Sequence, residues 1–170
     1  MKNQKASLAT TALLVVLLLI SACGRLPAEF GSSANHVVMP RPEIVKPLAD
    51  IRGSVEGVTN LKLGVENTSQ HQIAEMEGFT GRWQVLDAGG EVRAEGRMYH
   101  LGLLKPEESR YPMTWESTLT SGSYTLLWGA PEIGSLVVDF NVEVSGDAVN
   151  INQVRQETSE SFPPRPGFVE

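Results

Sequence analysis

The residues that could support catalysis or metal binding are few and scattered along this chain of 170 residues. The three histidines lie in separate segments, without a second histidine or a cysteine at a metal-binding spacing: His36, His71 and His100. Two pairs of carboxylates accompany loop and turn residues, where solvated charges are common: Glu75 with Glu77, and Glu107 with Glu108. No G-x-S-x-G or S-x-x-K motif accompanies a serine. The sequence therefore predicts no enzyme, and no catalytic, cofactor or metal site.

The only cysteine, Cys23, follows a segment of three parts. Two lysines come first, an uncharged apolar run covers residues 12–20, and two small residues precede the cysteine. This order is typical of a signal peptide, here residues 1–22. The apolar run is about half of the roughly 20 residues that a membrane-spanning helix needs. A single cysteine also excludes a core stabilised by internal disulfides.

The stretch Ile20-Ser21-Ala22-Cys23 resembles the lipobox of bacterial lipoproteins, in which an aliphatic residue and two small residues precede an invariant cysteine. The resemblance implies a diacylglycerol on the Cys23 thiol, cleavage just before that residue, and further acylation, such as palmitate, at the new amino terminus. It implies a protein anchored to a bacterial membrane on the extracytoplasmic side, in the cell envelope. The alternative is an ordinary cleaved signal peptide with a chance cysteine.

Charge and composition describe the rest of the chain. Removal of the two lysines of residues 1–22 takes the formal net charge from −6 to −8, which argues against binding to nucleic acid or to anionic lipid headgroups. Residues 23–50 are rich in proline, glycine and serine and are expected to form a lipidated N-terminus and flexible linker. Residues 157–170 are polar and proline-rich and predict a disordered tail. A folded domain is expected over residues 51–156.

The hydrophobic pattern of that domain has a period of two, which is typical of strands with one buried face. Alternating apolar residues occur in two clear runs: Val138, Phe140, Val142 and Val144, and Leu61, Leu63 and Val65. Ala88-Gly89-Gly90 lies between two further alternating runs and predicts a β-hairpin. Six or seven short strands without a helical stripe predict an all-β protein, an antiparallel immunoglobulin-like β-sandwich.

Two features of the strands bear on function. Leu119, Gly122 and Tyr124 have the spacing of a tyrosine corner, in which the tyrosine hydroxyl bonds to backbone a few residues upstream. The alternative places Tyr124 in an exposed contact loop. The three tryptophans are expected in the core, with a ligand-binding face as the alternative: Trp83, Trp115 and Trp128.

Four stretches of the domain resemble the bacterial intracellular proteinase inhibitors of the BsuPI type. They are an early strand ending in Asn and a small polar residue (65–69), an Asp-x-x-Gly hairpin (87–90), an L-x-P-G-E-like stretch before a strand with Trp (104–115), and Gly-x-Tyr (122–124). The resemblance covers about residues 55–144 and implies the same sandwich fold.

The chain departs from that family at two places. Glu108 stands where the family usually has glycine, and Val92 is followed by Arg93 where the family often has tryptophan. The family is also intracellular, whereas the signal peptide implies export, so a shared fold does not carry the inhibitory function with it.

We therefore expect a lipid-anchored domain that acts by presenting a surface to another protein of the envelope. The partner loop is expected between residues 68 and 78, with four candidate contact residues: Ser69, His71, Glu75 and Glu77. The alternative is a proteinase inhibitor, in which this loop would occupy a protease cleft.

Overall fold

The computed structural model of the chain describes residues 36–164 and Phe168. This part contains ten strands and no helix, so the prediction of an all-β protein is confirmed, with more strands than expected. Within it there is accordingly no helix able to cross a membrane. The strands are β1 (Val37–Val38), β2 (Val45–Gly53), β3 (Thr59–Asn67), β4 (Gln72–Ile73), β5 (Gly81–Asp87), β6 (Val92–Met98), β7 (Ser109–Ser117), β8 (Gly122–Ala130), β9 (Gly134–Ser145) and β10 (Ala148–Ser159). The predicted signal peptide and Cys23 lie outside the described residues.

The strands form two antiparallel sheets and one short parallel pair. The larger sheet has the order β10-β9-β8-β5-β6, and the smaller has the order β2-β3-β7. Strands β1 and β4 pair in parallel over two residues. The predicted alternation sets which face is buried, since the apolar series of β9 and of β3 point into the core. Val144 is the exception: it lies near the end of β9 and is 41% exposed.

Two tryptophans of the larger sheet contact the smaller one. Trp128 of β8 is fully buried, and its indole Nε1 donates to the Gly64 carbonyl oxygen of β3 at 3.1 Å. Trp83 of β5 is 2% exposed, and its ring lies 5.5 Å from that of the half-buried Trp115 in β7. The prediction of core tryptophans is thus confirmed for Trp83 and Trp128. Gly64 is required where it is, because a Cβ there would lie 2.3 Å from the Arg110 carbonyl oxygen.

The predicted hairpin joins β5 to β6 and is held by one carboxylate. Asp87 Oδ1 accepts hydrogen bonds from the Gly89 and Glu91 amides at 2.9 and 3.0 Å, and Oδ2 accepts from Arg93 Nε at 2.8 Å. The Arg93 guanidinium, followed by the Glu91 amide, holds the pKa of Asp87 below its ordinary value. Gly90 has a φ of 82°, a conformation that favours glycine, so the turn requires the residue found there.

The folded part extends beyond residues 51 and 156 in both directions. Strand β2 begins at Val45, which is fully buried, so the last residues assigned to the linker belong to a sheet. Pro47 is compatible with this strand because β2 is an edge strand. At the other end β10 continues to Ser159, and the Ser161 carbonyl oxygen accepts from Ser135 Oγ at 2.7 Å. Phe168 is 5% exposed. The described residues after 156 therefore do not form a disordered tail.

Tyr124 forms the predicted corner. Its side chain is 7% exposed, and its hydroxyl donates to the Thr120 carbonyl oxygen, four residues upstream, at 3.0 Å. Leu119 is 8% exposed and belongs to the core. The hydroxyl thus ties the chain between β7 and β8 to the start of β8, and the alternative of an exposed contact residue is excluded.

We expect Tyr124→Phe to lower the free energy of unfolding by about 0.5–1.5 kcal/mol, the net contribution of one hydrogen bond. Denaturant unfolding of the full chain measures this as a lower midpoint with an unchanged slope. Tyr111→Phe is the matched control, because the Tyr111 side chain is 42% exposed and should be neutral. Equal midpoints for Tyr124→Phe and the parent would contradict the corner.

Candidate partner-binding surface

The predicted partner loop, residues 68–78, connects β3 to β5 and includes the short strand β4. The side chains of three of its candidate residues are exposed and that of the fourth is half-buried: His71, Glu75 and Glu77, and Ser69. Ile73, in the middle of the loop, is fully buried. The loop is therefore attached to the domain at its centre.

Asn67, the last residue of β3, holds the start of this loop. Its side chain is fully buried, and Nδ2 donates to the carbonyl oxygens of His71 at 2.7 Å and Lys105 at 2.8 Å. Oδ1 accepts from the Ser69 amide at 3.0 Å and from Ser69 Oγ at 2.8 Å. All four interactions of the amide are made inside the protein, so one side chain links the loop to the segment that precedes β7.

That segment, residues 99–108, pairs with the predicted loop through backbone hydrogen bonds. The Ile73 amide donates to the Leu104 carbonyl oxygen at 2.9 Å, with the reverse bond at 3.2 Å. The Met76 amide donates to the Leu101 carbonyl oxygen at 2.8 Å. The segment and the loop are thus one structural unit, and we name its exposed side the loop surface.

The turn at the end of this unit has an unusual backbone conformation. Glu107 has a φ of 58°, the left-handed region that favours glycine. Glu107 is thus the residue with the backbone conformation of a glycine. The sequence comparison placed the family's glycine at Glu108, which is wrong by one residue. Glu108 instead closes the turn: its carboxylate accepts from the Lys105 amide at 2.8 Å and from Arg110 at 2.7 Å. These two hydrogen bonds hold the pKa of Glu108 below its ordinary value.

The loop surface combines exposed apolar groups with charges from both segments. Tyr99 is 64% exposed and Leu103 is 39% exposed. His100 Nε2 lies 3.3 Å from Glu75 Oε1, which joins the two segments across the surface. No sequence pattern predicts a role for Tyr99, His100 and Leu103, because the position of their segment beside the loop depends on a pairing between residues about 30 apart. The apolar residues around them have the pattern of an ordinary strand, which does not indicate a binding surface.

The structure brings together two histidines that the sequence separates. The rings of His36 and His71 have centroids 5.3 Å apart with a tilt of 54°. His100 lies elsewhere on the loop surface, with its Nε2 atom 3.3 Å from Glu75 Oε1. Across residues 36–164, no group of three or more potential metal-binding side chains of histidine, cysteine, aspartate or glutamate forms.

A concave region lies beside the tyrosine corner. It is a hollow of about 470 Å³ between the β5–β6 hairpin and the connection from β7 to β8, lined in part by Asp87, Arg93 and Thr120. The Asp87 carboxylate is occupied by the hairpin amides and Arg93, which stabilise its ionised form. It is consequently a poor candidate for a general base, and we assign the hollow no chemistry.

The stretches that resemble the proteinase inhibitor family have structural roles here. Asn67 orders the loop, Asp87 closes the hairpin and Tyr124 ties the corner. All three contacts are ones that the fold itself needs, and none is specific to the inhibition of a protease. No family model, curated protein or solved structure matches the chain.

Proposed function

We propose that the chain is a bacterial lipoprotein, held in the cell envelope by lipid on Cys23, whose folded domain binds another envelope protein through the loop surface. The lipobox-like stretch before Cys23 supports the anchor. Each buried methylene contributes about 0.8 kcal/mol, and two or more acyl chains bind durably where one does not. Because the chain is acidic, it is not attracted to anionic lipid headgroups, so the lipid on Cys23 provides the attachment to the membrane.

For the domain we propose an immunoglobulin-like β-sandwich. The support is the two antiparallel sheets, the tryptophan contacts between them and the tyrosine corner. Domains of this architecture commonly bind partners through the loops at one end of the sheets. The loop surface consists of such connections, those between β3 and β5 and between β6 and β7.

The main support for the binding proposal is that buried residues hold the loop surface in one conformation. The buried Asn67 amide and the buried Ile73 hold exposed side chains in place. Binding to a preorganised surface costs less conformational entropy than binding that must first order a loop. Exposed Leu103 beside the polar side chains of the loop matches the composition of protein interfaces, in which an apolar anchor lies within a polar rim.

The fixed conformation of the loop also favours a second candidate function, inhibition of a protease by residues 68–78. A protease-inhibitor complex changes little on binding, so an inhibitory loop must be held before contact. Attachment of this loop through Ile73 and Asn67 meets that requirement. The candidates differ in outcome, since an inhibitor reduces the activity of its partner and an adaptor does not.

The anchor is tested by Cys23→Ser in the full chain. We expect the variant to leave the detergent phase in a detergent-partition assay, because the thioether to the lipid forms only on that sulfur. Ser21→Gly is the matched control: it keeps a small residue in the lipobox-like stretch and should partition as the parent does. If Cys23→Ser remained in the detergent phase, the lipid anchor would be refuted.

The binding surface is tested by site-specific photo-crosslinking of the full chain in its native membrane. A photo-reactive amino acid at Leu103 should capture a discrete partner, whereas the same group at Val154 on β10, which is 63% exposed, should not. Leu103→Glu should then abolish co-purification of that partner, and Val154→Glu should retain it. Equal capture from both positions, or from neither, contradicts the proposal. A captured protease whose activity falls on addition of the chain would establish the inhibitor.

A further inference from the structure

We infer that His36 and His71 form a binding site for a divalent transition-metal ion such as Zn²⁺ or Cu²⁺. The inference does not depend on the proposed anchor or protein partner. It follows from the pairing of two short strands and from the geometry of the two imidazole rings.

The pairing of β1 with β4 places the two histidines opposite each other. The strands are parallel, with Val37 beside Gln72 and Val38 beside Ile73. Continued by one residue toward the N-terminus, this register sets His36 beside His71. Neighbouring strands lie about 4.8 Å apart, so opposed side chains on the same face are within reach of one ion.

The distance between the rings fits shared coordination. A zinc–nitrogen bond is about 2.0–2.1 Å, so two imidazoles on a tetrahedral ion have ring centroids about 5.2 Å apart. The observed separation of His36 and His71 is 5.3 Å. Both histidines are exposed, so an ion can reach the pair from solvent.

The chemistry of the site selects the class of ion. Neutral imidazole is a common ligand of Zn²⁺ and Cu²⁺ and a rare one of Mg²⁺ or Ca²⁺. No third histidine, cysteine or carboxylate completes the set within residues 36–164, so water or a partner ligand fills the other positions. A site of two protein ligands exchanges its ion readily, and Cu²⁺ should bind more tightly than Zn²⁺.

Metal binding would fix β1 to the domain. Beyond the histidines, the pair β1–β4 comprises two residues on each strand, and the Ala74 amide donates to the Val38 carbonyl oxygen at 2.8 Å. An ion shared by His36 and His71 adds a second connection across this pair.

The test is a titration of the full chain with Zn²⁺ alone, in detergent and without a histidine tag. All proteins carry Cys23→Ser, so that no free thiol competes for the ion. Calorimetry should show one zinc per chain, and acidification should release it because protons compete for the imidazole nitrogens. His36→Gln and His71→Gln should each weaken binding at least tenfold. His100→Gln, the matched control on the same loop surface, should change it less than twofold.

Hydrogen exchange gives a second readout for the same site. Zinc should slow exchange of the Ala74 amide at least threefold in the parent and leave it unchanged in His36→Gln. The inference is overturned if the parent binds no zinc, if neither His36→Gln nor His71→Gln weakens binding, or if His100→Gln weakens it equally. Circular dichroism of metal-free His71→Gln checks whether this variant is folded. If His71→Gln is unfolded, the zinc affinity of His36→Gln alone tests the inference, because His36 lies outside the loop.

Discussion

The buried amide of Asn67 is the interaction on which the loop surface depends. An asparagine at this depth must satisfy two donors and an acceptor, and here it does so with the His71 and Lys105 carbonyl oxygens and with Ser69. Those partners belong to two segments distant in sequence. One polar side chain at the end of β3 thus determines how the loop and residues 99–108 lie together, and the backbone pairing between them follows.

The sheets provide the fixed frame for that amide. Trp128 reaches across from β8 to the backbone of β3 at Gly64, three residues before Asn67, so the strand that carries the amide is held by the opposite sheet. A buried indole that lacked this acceptor would leave its N–H unpaired, at a cost of about 1–3 kcal/mol. The apolar core therefore positions the polar network, which in turn positions the exposed side chains.

Local patterns predicted the parts of the structure that depend on neighbouring residues. The alternation in β3 and β9, the hairpin closed by Asp87 and the corner at Tyr124 each follow from short-range chemistry. The pairing of residues 73 and 104, and the contact of His36 with His71, join segments with no shared local signal. The start of β2 was assigned to the linker because its segment is rich in proline. An edge strand tolerates proline, whereas a central strand does not.

Amide hydrogen exchange in Asn67→Asp is the most direct test of this account. Aspartate keeps the shape and the acceptor but cannot donate to both the His71 and the Lys105 carbonyl oxygens, since the ionised form has no donor and the protonated form has one. Loss of these bonds should speed exchange of the Ile73 and Met76 amides together, by roughly tenfold for each 1.4 kcal/mol lost. Exchange of Val138, in the larger sheet, should change far less. If the Ile73 and Met76 amides stayed as protected as in the parent, or if only one of them changed, Asn67 would not be the residue that holds the two segments together.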